Sequence, residues 1–282
     1  MILVTGATGK TGRAVIDALL VQGQKVRALV YRPNQDLGVQ EMIVGDMRSP
    51  AIINQALHSI RSVYFICPNM NPNEFEMGQL AIGAARSAGV EHFVYHSVLH
   101  PQTEAMPHHW QKLRVEEKLF ESGLPYTILQ PAAYMQNILA HWSRIVADGI
   151  YPVPYAADTR LSLVDLQDVA AAAAIVINQP AHYGATYELV GTRPLAQTEV
   201  AQILNRQLQR AVQVEVMPLD IWRQEAELAG LGGYQLDTLV RMFQYYERFG
   251  FAGNPNVLSW LLGRPPTTLT QFVERVAQER LP

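Results

Sequence analysis

The sequence contains very little cysteine, no long apolar run and no strong excess of charge of either sign. Cys67 is the one cysteine among 282 residues, so no disulfide can form within the chain, which suits a reducing cytoplasm. A net charge of −3 leaves no basic surface for nucleic acid or an anionic membrane. The longest apolar stretch, residues 169–177, is too short to span a bilayer. The composition therefore predicts a cytoplasmic protein that binds neither nucleic acid nor membrane.

Metal-binding patterns are also missing from the sequence. Four of the eight histidines lie close together, at His96, His100, His108 and His109. No His-x-Glu motif and no cysteine pair accompanies them at ligand spacing, so no metal is predicted. Cys67 ends an apolar run, which favours a buried structural thiol over a reactive one.

The most informative residues that are present are the first twelve. An apolar run at positions 2–4 leads into Gly6, Gly9 and Gly12, and a helical pattern follows. In a dinucleotide site Gly6 permits the turn, Gly9 exposes backbone to the pyrophosphate, and Gly12 lets the helix pack on the strand. A Walker A loop would need glycine where Val4 stands and is rejected. The other residues expected at the phosphates are Thr8, Lys10 and Thr11.

The end of the second predicted strand indicates which dinucleotide is bound. An acidic residue about 20 positions past the glycines would bind the 2′-hydroxyl of NAD, and none lies there. Arg32 lies there instead, and a guanidinium pairs with a 2′-phosphate, so NADP(H) is predicted. A solvated surface arginine is the alternative. Asp46 has two open interpretations, a contact with the adenine edge or a cap on the helix that begins near residue 50.

Strand and helix patterns alternate through the first half of the chain. Strands are predicted at residues 1–5, 25–31, 41–44, 63–67, 92–97 and 126–130, and later at 186–190. Helices are predicted at residues 12–22, 50–59, 73–88, 109–122, 136–148, 165–178, 197–209, 219–230, 236–249 and 271–280. This rhythm predicts an α/β fold, a Rossmann-type doubly wound parallel sheet. The NADP(H)-binding domain is placed at 1–150 and a smaller helix-rich substrate lobe at 151–282, with the chain crossing back to the sheet near 160–190.

Candidate catalytic residues lie on the fifth predicted strand and the helix after it. Short-chain dehydrogenases use a Tyr-x-x-x-Lys pair beside a serine, in which tyrosine donates a proton and lysine binds the nicotinamide ribose. Ser97 ends the strand and Lys112 lies on the helix, but position 108 is histidine rather than tyrosine. The spacing puts His108 and Lys112 on one helix face. His108 is interpreted either as a proton donor that titrates near neutrality or as a solvated residue at the helix start.

The loop after the sixth predicted strand is expected to leave the sheet near the nicotinamide. Pro131 and Tyr134 are assigned to the cofactor, and Tyr134 and Asn137 to the substrate. Tyr151, Tyr155 and Trp142 would add an aromatic wall. Each aromatic residue taken alone is more often a core residue than a ligand contact, and their clustering around one loop favours the ligand contact only modestly.

Several segments together share the pattern of one protein family. They are residues 4–12, Arg32-Pro33, the His108-x-x-x-Lys112 helix, 117–131, 165–170 and the tail 261–266. The sequence resembles the NmrA-like branch of the atypical short-chain dehydrogenase/reductases over nearly its whole length. The resemblance implies a Rossmann domain that binds NADP(H) and a small C-terminal substrate lobe. The missing tyrosine departs from the standard reductase pattern, and Gln130 stands where many relatives carry arginine.

Members of this branch reduce quinones, triphenylmethanes or phenylpropanoids with NADPH, while others sense the NADP(H) ratio and regulate partners. The resemblance therefore leaves two hypotheses. One is an NADPH-dependent reductase of a conjugated small molecule such as a quinone, which can take hydride at carbon and does not require the tyrosine. The other is a non-catalytic NADP(H) sensor that regulates a protein partner. The substrate lobe and its aromatic residues favour the enzyme, and a homodimer is compatible with either hypothesis.

Overall fold

The computed structural model describes residues 1–33 and 36–280. The strands in these ranges are β1 (Ile2–Val4), β2 (Val26–Val30), β3 (Glu41–Val44), β4 (Ser62–Phe65), β5 (His92–His96), β6 (Tyr126–Pro131), β7 (Ala133–Tyr134), β8 (Ile150–Val153), β9 (Arg160–Leu161), β10 (Leu163–Val164), β11 (Ala185–Leu189), β12 (Leu195–Ala196) and β13 (Gln213–Val216). The helices are α1 (Lys10–Val21), α2 (Pro50–Leu57), α3 (Glu74–Ser87), α4 (Pro107–Phe120), α5 (Trp142–Asp148), α6 (Leu166–Asn178), α7 (Gln197–Leu208), α8 (Leu219–Leu228), α9 (Gly233–Phe249), α10 (Asn256–Leu262) and α11 (Leu269–Arg280). None of the helices in this part of the chain combines the length and apolar character needed to cross a membrane.

The described strands build one seven-stranded sheet in the order β11-β6-β5-β4-β1-β2-β3. The pairs from β3 through β6 in this order are all parallel. The chain builds outward from β1 through β2 and β3, and then continues on the other side of β1 with β4. Open parallel sheets bind ligands at the carboxyl ends of their strands, beside such a reversal. The predicted doubly wound parallel sheet is confirmed.

The chain divides into two compact units. The first is Met1–Pro131 with Val169–Tyr187, and the second is Ala132–Asp168 with the chain from residue 188 onward. In the first unit, α2, α3 and α4 cover one face of the sheet and bury a continuous apolar cluster. The strands contribute Leu3, Leu29, Val63, Phe65, Phe93, Tyr95 and Ile128 to that cluster. The alternation of side chains along each strand explains why these residues share one face.

Helices α3 and α4 approach closely at Gly78. A Cβ atom on Gly78 would lie 2.7 Å from both Cγ atoms of Val115 on α4. Glu74, Met77 and Gly78 lie on the buried face of α3, so the same close approach brings the first turn of α3 against α4. A buried carboxylate therefore faces the helix that carries the predicted catalytic residues.

Three short strand pairs connect segments within the second unit. Within its described residues β7 pairs with β10 in parallel, β8 with β13 in parallel, and β9 with β12 antiparallel. Asp165 and Asp168 have fully buried side chains, and they form salt bridges of 2.7 Å with Arg275 and 2.6 Å with Arg264. The Asp168 pair attaches the Leu-Gly-Arg-Pro-Pro tail, and the Asp165 pair attaches α11, to the chain just before residue 169.

The structure differs from the sequence prediction mainly after Pro131. The predicted helix 136–148 is a 3₁₀ helix (Met135–His141) followed by α5, and the segment 149–157, where no helix or strand is predicted, contains β8. Strand β8 forms by pairing with β13, which lies far away in the sequence and gives no local signal. Helix α10 was not predicted. The first unit ends at Pro131 rather than near residue 150, and α6 from Val169 returns to it.

We expect Gly78→Ala to lower the free energy of unfolding by about 1–3 kcal/mol, because overpacking against Val115 outweighs the preference of alanine for helices. Gly83→Ala is the matched control on α3, since a Cβ there meets nothing within 4 Å. It should raise the free energy of unfolding by about 0.5–1 kcal/mol. Urea unfolding followed by circular dichroism measures both. Equal stabilisation by the two variants would contradict the tight contact between α3 and α4.

Candidate active site

The turn after β1 is built from backbone that has no room for side chains. Gly6 has a φ of +56°, in the left-handed region that glycine tolerates. A Cβ atom on Gly12 would lie 2.3 Å from the Gly6 carbonyl oxygen, a backbone atom that cannot rotate away. Gly9 donates its N–H to the same oxygen at 3.0 Å and is the N-cap of α1, with no side-chain cap. An uncapped first turn is what a helix needs in order to bind an anion.

Thr5 fixes this turn at the reversal of strand order. Its hydroxyl donates to the Ile66 carbonyl and accepts the Ile66 N–H, both at 2.8 Å, which ties the loop after β1 to the loop after β4. Thr8 and Lys10 are exposed, whereas Thr11 is buried. The exposed pair can reach a phosphate, while the buried Thr11 side chain belongs to the packing of α1.

Arg32 is the second residue after β2 and is exposed, which is where the sequence places a partner for a 2′-phosphate. Asp46 follows β3. The Arg48 guanidinium hydrogen-bonds Asp46 at 2.6 Å and holds the pKa of that carboxyl below its usual range. The N-cap of α2 is Ser49, so the expectation that Asp46 caps this helix is wrong. The adenine contact stays a prediction.

A buried salt bridge lies at the carboxyl end of β5. The ammonium of Lys112 donates to Glu74 Oε1 at 2.6 Å and to the His96 carbonyl at 3.3 Å. The hydroxyl of Tyr95 donates to the same Glu74 oxygen at 2.9 Å. Glu74 is 1% exposed and the Lys112 side chain 15%. Lys112 is therefore held from α3 and β5, and it keeps a small exposed portion.

Ser97 belongs to a second buried group rather than to an open site. Its hydroxyl donates to the carboxylate of Glu116 in a short hydrogen bond, and Gln130 Nε2 donates to the same carboxylate at 3.0 Å. Burial raises the pKa of Glu116, and the bonds from Ser97 and Gln130 act against that rise. With its hydroxyl proton committed to Glu116, Ser97 has a structural role in this arrangement.

The sequence left two interpretations of His108, a proton donor that titrates near neutrality or a solvated residue at the helix start, and its burial fits neither. His108 is 6% exposed, so it is not a solvated residue at the helix start, and its Nδ1 has no hydrogen-bond partner among the described residues. Burial, with a smaller contribution from the nearby His109, lowers the pKa of His108 to about 2. An imidazole that stays neutral at physiological pH has no imidazolium proton to give, so this burial argues against a proton donor that titrates near neutrality.

Comparison with known proteins assigns this chain to a family. The model of the NmrA-like family matches residues 1–276. The chain belongs to the NmrA-like family. In doubly wound folds, dinucleotides bind at a glycine turn beside the reversal of strand order.

NmrA-like relatives align with this chain over almost its full length. Quinone oxidoreductase 2 of Escherichia coli strain K12 is 29% identical over 282 residues, which cover 98% of each chain. The NAD(P)H azoreductase of Xenophilus azovorans is 28% identical over 281 residues, which cover 97% of each chain. The crystal structure of NADPH-dependent quinone oxidoreductase from Escherichia coli, complexed with NADPH, superposes with a TM-score of 0.85 at 28% identity. That superposition covers 98% of this chain and 99% of the other.

The predicted substrate residues lie in the second unit of this NmrA-like chain. Tyr151 is buried and donates its hydroxyl to Gln197 at 2.9 Å, so it packs as a core residue and not as a free substrate contact. Trp142 is also buried. Half-buried Tyr155 contacts Phe243 ring to ring at 6.0 Å, and burial raises its pKa. Half-buried Tyr134 and exposed Asn137 keep their predicted roles as predictions, as does buried Pro131 at the end of β6.

Sequence reasoning missed Glu74 and Glu116, although a signal for both was present. Glu74 precedes Met77, Gly78 and Ala81 at helical spacing, on the apolar face of α3. Glu116 falls on the buried face of α4. A carboxylate on an apolar helix face needs a partner, and that requirement could have pointed to both buried groups.

Cys67 is buried as predicted, and burial raises the pKa of its thiol. Across the described ranges, no cluster of three or more His, Cys, Asp or Glu side chains could hold a metal ion.

We expect the free energy of unfolding to fall as the pH drops below about 6.5, because His108 then binds a proton only in the unfolded chain. His108→Leu removes this proton site and should flatten the acid side of the stability profile by up to about 1.4 kcal/mol per pH unit. Urea unfolding between about pH 4.5 and 8 gives the slopes. The matched control is His58→Leu at an exposed position, which should keep the wild-type slope. Equal slopes in all three proteins would show that His108 is not held neutral by burial.

Proposed function

We propose that this protein transfers hydride from NADPH to a conjugated small-molecule acceptor such as a quinone. It is an NAD(P)H-dependent reductase of the NmrA-like family and uses NADP(H). One observation carries the proposal. The uncapped start of α1 and the Lys112 ammonium both lie at the carboxyl edge of the same parallel sheet. An anionic nucleotide and a charge that develops on an acceptor both need such groups.

The residues of the turn fit a dinucleotide. The close approach of Gly12 to the Gly6 carbonyl leaves no room for a Cβ atom and packs α1 against the turn after β1, while exposed Gly9 leaves bare backbone for a pyrophosphate. Thr8 and Lys10 would contact the phosphates, Arg32 the 2′-phosphate, and Lys112 the nicotinamide ribose. When bound, NADPH supplies the hydride for the reaction.

The side chains of this site favour acceptors that do not need a strong acid. No tyrosine stands at position 108, and the neutral His108 has no extra proton to give. A quinone takes hydride at carbon and gathers negative charge on oxygen. The Lys112 ammonium is a fixed positive charge that stabilises this developing charge, and water supplies the proton. An isolated ketone leaves a far more basic alkoxide, for which this arrangement is poorly suited.

The proposal is tested by following NADPH oxidation with quinones, azo dyes and unconjugated ketones of similar size. We expect turnover of the conjugated acceptors and little or none of the ketones, because only the conjugated acceptors spread the charge that Lys112 must stabilise. Turnover of ketones at comparable rates would reveal an acid that the proposal lacks. Tight NADPH binding without turnover of any acceptor would favour the sensor hypothesis instead.

Arg32→Ala should weaken NADPH binding by about 1.5–3 kcal/mol, roughly tenfold to a hundredfold, because one charge-assisted contact to the 2′-phosphate is lost. Binding of NADH should change much less, since NADH has no such phosphate. Fluorescence titration with the two nucleotides gives the dissociation constants. Arg241→Ala, at an exposed position of α9, is the matched control and should alter neither. Equal losses for NADPH and NADH would remove Arg32 from the 2′-phosphate site.

A further inference from the structure

We propose that Glu74 is a positioning residue for the reductase reaction, which fixes the place and the charge of the Lys112 ammonium. The inference rests on the proposed function, because it assigns Glu74 a role through Lys112. Glu74 lies outside the serine and Tyr-x-x-x-Lys pattern, at the first position of α3. Its carboxylate accepts hydrogen bonds from Tyr95 and Lys112, and neither donor belongs to the glycine turn.

The geometry confines the ammonium from two sides. Glu74 on α3 accepts one N–H of Lys112 at 2.6 Å, and the His96 carbonyl at the end of β5 accepts another at 3.3 Å. Both contacts are with elements other than α4, on which Lys112 lies. An ammonium at the end of a flexible four-carbon side chain thereby acquires a defined position relative to the sheet. The 15% of the side chain that stays exposed is what remains for a ligand.

The carboxylate of Glu74 is itself held in place. The Tyr95 hydroxyl donates to the oxygen that binds Lys112, at 2.9 Å, and the Tyr95 ring centre lies 5.6 Å from the Lys112 nitrogen. Burial raises the pKa of Tyr95, so its hydroxyl keeps its proton and remains a donor. Close packing of α3 on α4 at Gly78 sets the distance between the helices one turn away from Glu74. Moving the start of α3 away from Lys112 would therefore disturb this contact.

Glu74 is the carboxylate that balances the charge of Lys112. Among the described residues it is the one that forms a salt bridge with this lysine. Glu116 lies nearby on α4 but accepts from Ser97 and Gln130. The other titratable groups around Lys112 are Cys67, Tyr95, His96, His108 and His109. Burial keeps the thiol and the phenol protonated and the three histidines neutral near pH 7, so none of them replaces the carboxylate.

A double-mutant cycle tests this assignment. The four proteins are wild type, Glu74→Gln, Lys112→Met and the variant with both changes. For each, the NADPH dissociation constant, kcat and KM for a quinone, and the pH dependence of kcat are measured, with a thermal melt to show folding. Tyr95→Phe is the matched control, because it removes the second hydrogen bond to Glu74 and leaves the salt bridge intact.

We expect Glu74→Gln to lower kcat or NADPH affinity roughly tenfold or more when Lys112 is present, and to have almost no effect when Lys112 is already methionine. The basic limb of its pH profile should move to lower pH, because a partly buried ammonium without its counter-charge loses its proton more readily. Tyr95→Phe should leave that limb in place. Equal losses in both backgrounds, or an unmoved limb, would overturn the positioning role and leave Glu74 as a structural residue.

Glu74→Gln leaves a partly buried ammonium unpaired and can therefore fail to fold. Glu74→Asp is then the deciding variant for the positioning role. It keeps the negative charge but is one methylene shorter, so its carboxylate lies farther from Lys112. We expect reduced kcat with the basic limb unmoved, whereas wild-type kcat would overturn the proposal. Failure of the proposed function has a different signature. In that case the wild-type protein reduces no acceptor, and the coupling between Glu74 and Lys112 is obtained from the NADPH dissociation constants of the four proteins.

Discussion

The backbone contact between Gly6 and Gly12 is the constraint on which the site depends. Because a Cβ on Gly12 would strike the Gly6 carbonyl, α1 can begin directly after β1 only with glycine at this position. Thr5 then ties the same turn to Ile66, beyond the end of β4. The loop after β4 leads to the start of α3, and Glu74 is the first residue of that helix. The turn that can accept a nucleotide and the carboxylate that binds Lys112 thus belong to loops joined at one strand reversal.

Among the described residues of the first unit, Glu74 and Glu116 are the buried carboxylates, and their surroundings differ. Glu116 has neutral donors, Ser97 and Gln130, and burial raises its pKa. Glu74 has a charged donor in Lys112. A buried ion pair is a poor source of stability, because the loss of hydration offsets most of the Coulomb attraction. An apolar pair of similar size would serve the packing of α3 on α4 as well or better. The charges at Glu74 and Lys112 are therefore better explained by what they do at the end of β5 than by folding.

The sequence predicted what depends on local patterns and missed what depends on distant contacts. The glycine turn and the parallel strands were readable because alternation, glycine spacing and helix stops are local. Spacing placed His108 and Lys112 on one helix face, but it could not show that His108 would be buried by other elements. The pairing of β8 with β13, like the bond from Tyr151 to Gln197, joins positions far apart in the chain. Glu74 was overlooked because its partner Lys112 lies 38 residues away.

The absence of a tyrosine acid changes the kind of reaction that the site can support. A tyrosine supplies a proton where an alkoxide forms, so it suits isolated carbonyl groups. Here burial keeps His108 neutral, whereas Lys112, bound to Glu74 at the end of β5, is charged and partly exposed. A fixed ammonium stabilises charge without having to give up its proton, which suits an acceptor whose reduced form is a weakly basic, delocalised anion. In the proposed reaction, the class of acceptor thus follows from which polar groups the fold buries as neutral and which it keeps charged.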